Sequence, residues 1–174
     1  MLQAHRLRRV KRSAQAIPVS VISASPAEPQ STLADAPPRC IVLDTNIVLD
    51  LYVFGDPATV ALRAALQSGA LQWIATQAMR DELERVLAYP KIVPRMAYYQ
   101  RSAAEVLAYF DGLVALTAVA TKASVTCKDG DDQKFIDLAV THKAILLSKD
   151  RAVLNTAKRL RAQGALVCTT LSAG

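Results

Sequence analysis

Histidine and cysteine are scarce: the chain holds two His and three Cys in 174 residues, and neither set is grouped. His5 and His142 lie far apart without a partner pattern, which argues against histidine acid–base chemistry. Cys40, Cys127 and Cys168 are odd in number and show no C-x-x-C spacing, so neither a disulfide framework nor a zinc site is suggested. A reducing, cytoplasmic setting is the expectation. Cys127 has no base beside it in sequence and reads as a small apolar residue rather than a nucleophile. Aromatics are also few, at 5% of the chain, and Trp73, Tyr98 and Tyr99, which could stack nucleic-acid bases, stand at strand and helix positions that read rather as core. Apolar runs are short, each broken by Lys, Arg or Asp well before the roughly 18 residues that cross a bilayer, so a soluble protein with no membrane contact is expected. Against these absences, 52% of the residues are hydrophobic, which supports a real core and excludes a mostly disordered chain.

The net charge of +6 resembles a nucleic-acid signal until it is divided along the chain. Residues 1–39 hold six of the 21 basic residues (Arg6, Arg8, Arg9, Lys11, Arg12, Arg39) and only Glu28 and Asp35 of the 15 acidic ones, leaving 15 basic against 13 acidic in residues 40–174. The larger part is nearly neutral, so the pI is no evidence of a basic binding face, though the N-terminal cluster could touch phosphates through charge alone. Between Ala14 and Pro38 the chain is rich in Ala, Ser and Pro, a composition that cannot sustain an apolar helical stripe. Residues 1–39 are therefore expected to be a flexible basic extension. Ile17–Ile22 is too short and carries Pro18, which disfavours a secretory signal.

From residue 40 short apolar runs alternate with longer amphipathic ones, the pattern of βα units on a parallel sheet. Strands are expected at Cys40–Leu43, Leu71–Ala75, Leu113–Ala120, Ala144–Leu147 and Ala165–Cys168. Helices are expected at Ala58–Gln67 after Asp56-Pro57, from Thr76 to about Tyr89, over Arg95–Asp111, over Asp132–His142 and over Ala152–Gln163. The expected fold is a three-layer α/β domain over residues 40–174 with a largely parallel sheet of four or five strands. Cys40–Leu43 is apolar on both faces and should be central.

Ligands of such sheets bind at the carboxyl ends of the strands. Asp44 and Asn46 follow the first strand, Glu82 lies in the helix after the second, Asp129-Gly-Asp131-Asp132 precedes the helix before the fourth, and Asp150 directly follows the fourth. Four acidic elements far apart in sequence thus converge on one rim. Clustered carboxylates repel, and a cation or partial protonation relieves them. Oxygen donors without His or Cys select Mg²⁺ or Mn²⁺, which can activate water and stabilise the attacking and leaving oxygens of a phosphodiester.

The segments Ile41-Val-Leu-Asp44-Thr-Asn46, Asp81-Glu82-Leu-Glu-Arg-Val-Leu87, Asp131-Asp132-Gln-Lys-Phe135 with Ala139, and Leu147-Ser-Lys-Asp150 resemble, in order and spacing, those of the PIN-domain ribonucleases. They are most similar to the bacterial branch that forms the toxin components of toxin–antitoxin pairs. The resemblance spans about residues 40–170 and implies a PIN-like, Rossmann-like domain acting as a divalent-metal-dependent endoribonuclease. By that resemblance Asp44, Glu82, Asp132 and Asp150 are the catalytic metal ligands for Mg²⁺ or Mn²⁺, and Asn46 holds the loop and the neighbouring carboxylate. Asp131 and Lys149 are supporting residues, and Asp129 or Asp131 competes with Asp132 as the true ligand. RNA is the implied substrate, with an antitoxin protein and a homodimer as further expectations.

Each acid also has an ordinary reading. Asp44 could cap a turn, Glu82 could be a solvated residue of an early helical turn, and Asp150 could cap the helix that follows it. The loop of Asp129–Asp132 lacks the spacing and closing Glu of an EF-hand. Lys149, Arg151, Lys128, Lys134 and Arg80 could hold RNA phosphates near the metal or simply pair with the acids. Two other functions compete. One is a non-catalytic RNA- or protein-binding module on the same fold. The other is an aspartyl phosphotransfer or phosphatase domain, disfavoured because Asn46 stands where a second, proton-donating acid would be needed.

Overall fold

The computed structural model describes residues 38–171. The expected extension lies outside them except at its end, where Arg39 proves to be the first residue of a strand. Five strands, β1 (Arg39–Leu43), β2 (Leu71–Ala75), β3 (Ala115–Leu116), β4 (Ile145–Leu147) and β5 (Leu166–Cys168), form one sheet in the order β3-β2-β1-β4-β5. All pairings are parallel. Helices α1 (Thr45–Leu49), α2 (Val60–Gln67), α3 (Gln77–Leu87), α4 (Val93–Tyr98) and α5 (Ala103–Leu113) lie in the connections toward β3. Helices α6 (Gln133–Thr141), α7 (Arg151–Leu154) and α8 (Ala157–Arg161) lie in those toward β5. Right-handed crossovers put the two sets on opposite faces, giving the expected three-layer α/β/α arrangement.

β1 is central, as its doubly apolar sequence requires, with Ile41, Val42 and Leu43 buried. Strand order reverses between β1 and β4, and their carboxyl ends are in register, Leu43 opposite Leu147. The Asp44 amide donates to the Leu147 carbonyl at 3.0 Å, so the crevice of this switch point opens immediately after Asp44 and Ser148.

Four features depart from the expected elements. The chain after Asp44 coils at once into α1 and then a wider π turn, Asp50–Phe54, closed by Gly55 in the left-handed region at φ 60°. The helix expected over Arg95–Asp111 is two: α4 ends at Tyr98, Gln100 turns at φ 53°, and Ser102 with Glu105 forms a capping box that starts α5. β3 is two residues long instead of spanning Leu113–Ala120. Among the described residues no strand lies beyond it, and Leu116, with Val119 in the loop after it, is exposed. The last helix is broken into α7 and α8 where the buried Thr156 hydroxyl donates to the Val153 carbonyl at 2.6 Å. Of the aromatics read as core, Trp73 is buried against Tyr52 and Phe110, whereas Tyr98 and Tyr99 are exposed.

Candidate active site

Asp44 leaves the end of β1 in extended conformation and caps α1, its Oδ1 accepting the Asn46 amide at 3.3 Å. Its Oδ2 accepts the Ser148 hydroxyl at 2.6 Å, a bond between two buried side chains at adjacent strand ends. Burial is the main cause that raises the Asp44 carboxyl above its ordinary value of 3.8, and the charges of Glu82 and Asp150 add to the rise while Ser148 and Asn46 oppose it.

Glu82 lies one residue before Leu83 in α3, whose inward stripe is Met79, Leu83 and Leu87. That offset sets its carboxylate at the edge of the buried face. There it accepts the Thr45 hydroxyl at 2.6 Å and pairs with the Lys134 ammonium, which also donates to the Asp131 carbonyl. Asp132 occupies the N-cap position of α6, three and four residues before the buried Phe135 and Ile136, and makes no capping bond. Its carboxyl is pushed up to about 6, first by burial, then by the charges of Asp44, Asp150 and Asp129. Asp44, Glu82 and Asp132 line one cleft of about 430 Å³, together with Thr45, Asn46, Leu49, Phe54, Val86, Tyr89, Lys91, Ile92 and Arg95.

The remaining acids sit around this cleft. Asp150 caps α7, Oδ1 accepting the Ala152 amide at 2.6 Å, and it borders a neighbouring depression with Lys128 and Asp129. The cap expected as its ordinary reading is therefore present. Its charge nevertheless acts on both Asp44 and Asp132, and Oδ2 makes no hydrogen bond among the described residues. Asp131 faces a third depression beside Glu82 and Lys134, and Asp129 accepts the Asp131 amide at 3.0 Å, an Asx turn that shapes the loop. Of the three competing acids, Asp132 is the one that lines the cleft with Asp44 and Glu82.

Asn46 borders the cleft, but the bond to Asp44 comes from its backbone amide rather than its side chain. Lys149 turns away from the cleft and binds Asp50 at 2.7 Å and Asp56 at 2.9 Å, pinning the π turn to the end of β4. Lys149→Met is expected to lower the thermal midpoint slightly while leaving catalysis within about twofold, which unfolding and initial-rate measurements check. Arg80 is engaged by Asp111 and Glu84. Two polar residues that hold the carboxylates, Thr45 and Ser148, carry no signal of that role in the sequence. Each lies within an acid-bearing segment, and only the register of β1 with β4 and the placement of α3 give them their partners.

Among the described residues no three acidic, His or Cys side chains are close enough to share an ion as they stand. Local hydrogen bonds hold Asp44, Glu82 and Asp150 in separate orientations. The donor set nonetheless suits a hard divalent cation. Its donors are all oxygens, two of the carboxyls are driven toward protonation, and Glu82 already draws an ammonium group.

The PIN-domain family model matches residues 40–152, more than half of the 174-residue chain, covering Asp44, Glu82, Asp132 and Asp150. The chain belongs to the PIN-domain family. PIN domains are in general nucleases, hydrolases of phosphodiester bonds that bind nucleic acid and use divalent metals. Neither the curated proteins nor the solved structures yield a match. Among the described residues no helix is long and apolar enough to cross a membrane.

Proposed function

We propose that this PIN domain is a divalent-metal-dependent endoribonuclease acting as the toxin of a toxin–antitoxin pair. The observation that supports it most is the gathering of Asp44, Glu82 and Asp132 on one cleft at the switch point of the sheet, with Asp44 and Asp132 both raised. The toxin assignment rests on the resemblance of the four acidic segments to that branch, and it carries an antitoxin partner, a homodimer and a cytoplasmic location with it.

Asp44, Glu82, Asp132 and Asp150 would hold Mg²⁺ or Mn²⁺, which when bound supplies an activated water and positive charge against the scissile phosphate. Ser148 fixes the rotamer of Asp44, and Thr45 fixes that of Glu82. Lys134 partly neutralises Glu82. Asp132, pushed up to about 6, would have to be ionised to hold the cation.

The test is incubation of the purified protein with folded and unstructured RNAs in Mn²⁺, with cut sites mapped. Cleavage is expected with metal and not in excess chelator, and equal cleavage in both overturns the proposal. Within the acidic loop, Asp132→Ala is expected to lower cleavage by about a hundredfold or more and Asp129→Ala by no more than about threefold, because only Asp132 faces Asp44. Initial rates at saturating Mn²⁺ check the order.

A further inference from the structure

The cleft has two chemically different ends. Asp44, Glu82 and Asp132 make one of them. The other is built at the α3–α4 turn, where Tyr89, Ile92 and Arg95 recur every third residue and all line the cleft, with Lys91 between them and Phe54 of the π turn opposite. Ile92 is buried as the apolar floor, and Tyr89 is about half exposed. The Arg95 guanidinium lies over the Phe54 ring, 3.9 Å from its centroid. Lys91 and Arg95 are exposed and make no ion pair among the described residues, unlike Arg80, Lys134 and Lys149.

An apolar and aromatic surface carrying two unpaired cations, continuous with a carboxylate centre, matches the two parts of a nucleotide. One part is a flat π face and the other an anion. We infer that this end of the cleft is a nucleotide subsite of the RNA strand, in which the base flanking the scissile phosphate stacks against Tyr89 and the Arg95 guanidinium and the adjoining phosphate is held by Lys91 and Arg95. The inference rests on the nuclease reading for the position of the subsite beside a scissile phosphate, but the subsite itself does not need the metal. The base must be unpaired to reach the Ile92 floor, so duplex RNA is excluded from it. Arg95 carries two duties that separate experimentally. Its charge serves the phosphate and its plane serves the base, and lysine retains only the first.

The experiment is fluorescence anisotropy of a labelled decauridylate and of an abasic oligoribose phosphate of equal length, in chelator, across a range of salt. Wild-type protein is expected to bind the decauridylate about tenfold tighter than the abasic strand. Tyr89→Ala and Arg95→Lys should abolish most of that preference. Lys91→Gln and Arg95→Gln should each flatten the log–log salt dependence by about 0.7, the value for one phosphate contact on a single strand. These side chains are solvent-exposed, and circular dichroism checks that α4 persists. Equal binding of the two strands, no binding of either, or variants that behave as wild type overturns the subsite. In parallel, Mn²⁺-dependent cleavage is measured with wild type and Asp44→Asn. A lost base preference with cleavage that depends on Asp44 sinks the subsite alone. A base preference without Mn²⁺-dependent cleavage by the wild type sinks the nuclease assignment and leaves the subsite standing, and cleavage that survives Asp44→Asn removes Asp44 from the chemistry.

Discussion

Replacing Asp44 with asparagine is expected to reduce metal-dependent RNA cleavage by about a thousandfold or more, because the change removes charge from the carboxylate at the switch point and leaves its shape. The local bonds largely survive the substitution. In Asp44→Asn the side-chain oxygen can still accept the Asn46 amide, and the new side-chain NH₂ can donate to the Ser148 Oγ that in the wild type donates to Asp44. Ser148 Oγ already accepts the Asp150 amide at 3.0 Å, so it holds a second acceptor site for this bond, and its proton must find another partner.

The same variant should fold at least as stably as wild type when metal is absent. A carboxyl whose folded pKa is raised contributes stability that is fully present below its unfolded value and lost as pH rises through the folded one. At neutral pH, Asp44 is therefore a group whose ionisation works against the metal-free fold, chiefly through burial. Asparagine has no charge to bury, and the thermal midpoint of the variant in chelator is expected to rise by a few degrees. Loss of activity with gain of stability separates removal of a functional charge from simple damage to the fold. Wild-type cleavage by Asp44→Asn protein would show that this carboxylate does not do the chemistry assigned to it.

The frame of this domain was legible because apolar strands and capped helices are local signals. Leu71–Ala75 is the strand its sequence predicts, and Asp56 caps the turn before α2 as the Asp-Pro pair requires, accepting the Ala58 amide at 2.9 Å. The break between α4 and α5 was also written locally, in Ser102-x-x-Glu105, but the apolar periodicity running through it concealed the stop. The brevity of β3 was not local at all. Leu113 is the last residue of α5, and only Ala115 and Leu116 lie beside the end of β2 to pair with Ile74 and Ala75. The acids followed the same division. Their strand-end and helix-start positions could be read from spacing. The partners that aim them, Ser148 for Asp44 and Thr45 and Lys134 for Glu82, arise from contacts between segments far apart in the chain, the first pair separated by 104 residues and the second by 37. The cationic and aromatic end of the cleft was hidden for a related reason: Phe54 and Arg95 belong to the π turn and α4, separate elements that meet only in the folded chain.

Metal affinity and cleavage are expected to fall steeply as pH drops below about 6, where Asp132 takes up its proton. A cation binds the ionised carboxylate, so each protonated ligand must release a proton before it can coordinate. With Asp132 titrating, apparent Mg²⁺ affinity should change by about tenfold per pH unit on the acid side of 6. A bound cation would offset the smaller part of the Asp132 shift, the repulsion from Asp44, Asp150 and Asp129, and leave the larger part that comes from burial. The metal-free protein should show the opposite trend. Ionisation of Asp132 disfavours the fold, so stability declines as pH rises from the ordinary carboxyl value of 3.8 through about 6. In full, that displacement corresponds to about 3 kcal/mol, and solvent screening of the half-exposed carboxyl reduces it to about 1 kcal/mol. Calorimetric Mg²⁺ titrations at pH 5, 6, 7 and 8, repeated in buffers of different ionisation enthalpy, read both the affinity and the protons released. Asp132→Asn should weaken binding at pH 8 and flatten its pH dependence. An affinity that is constant from pH 5 to 8, with no proton release, would remove Asp132 from the metal site.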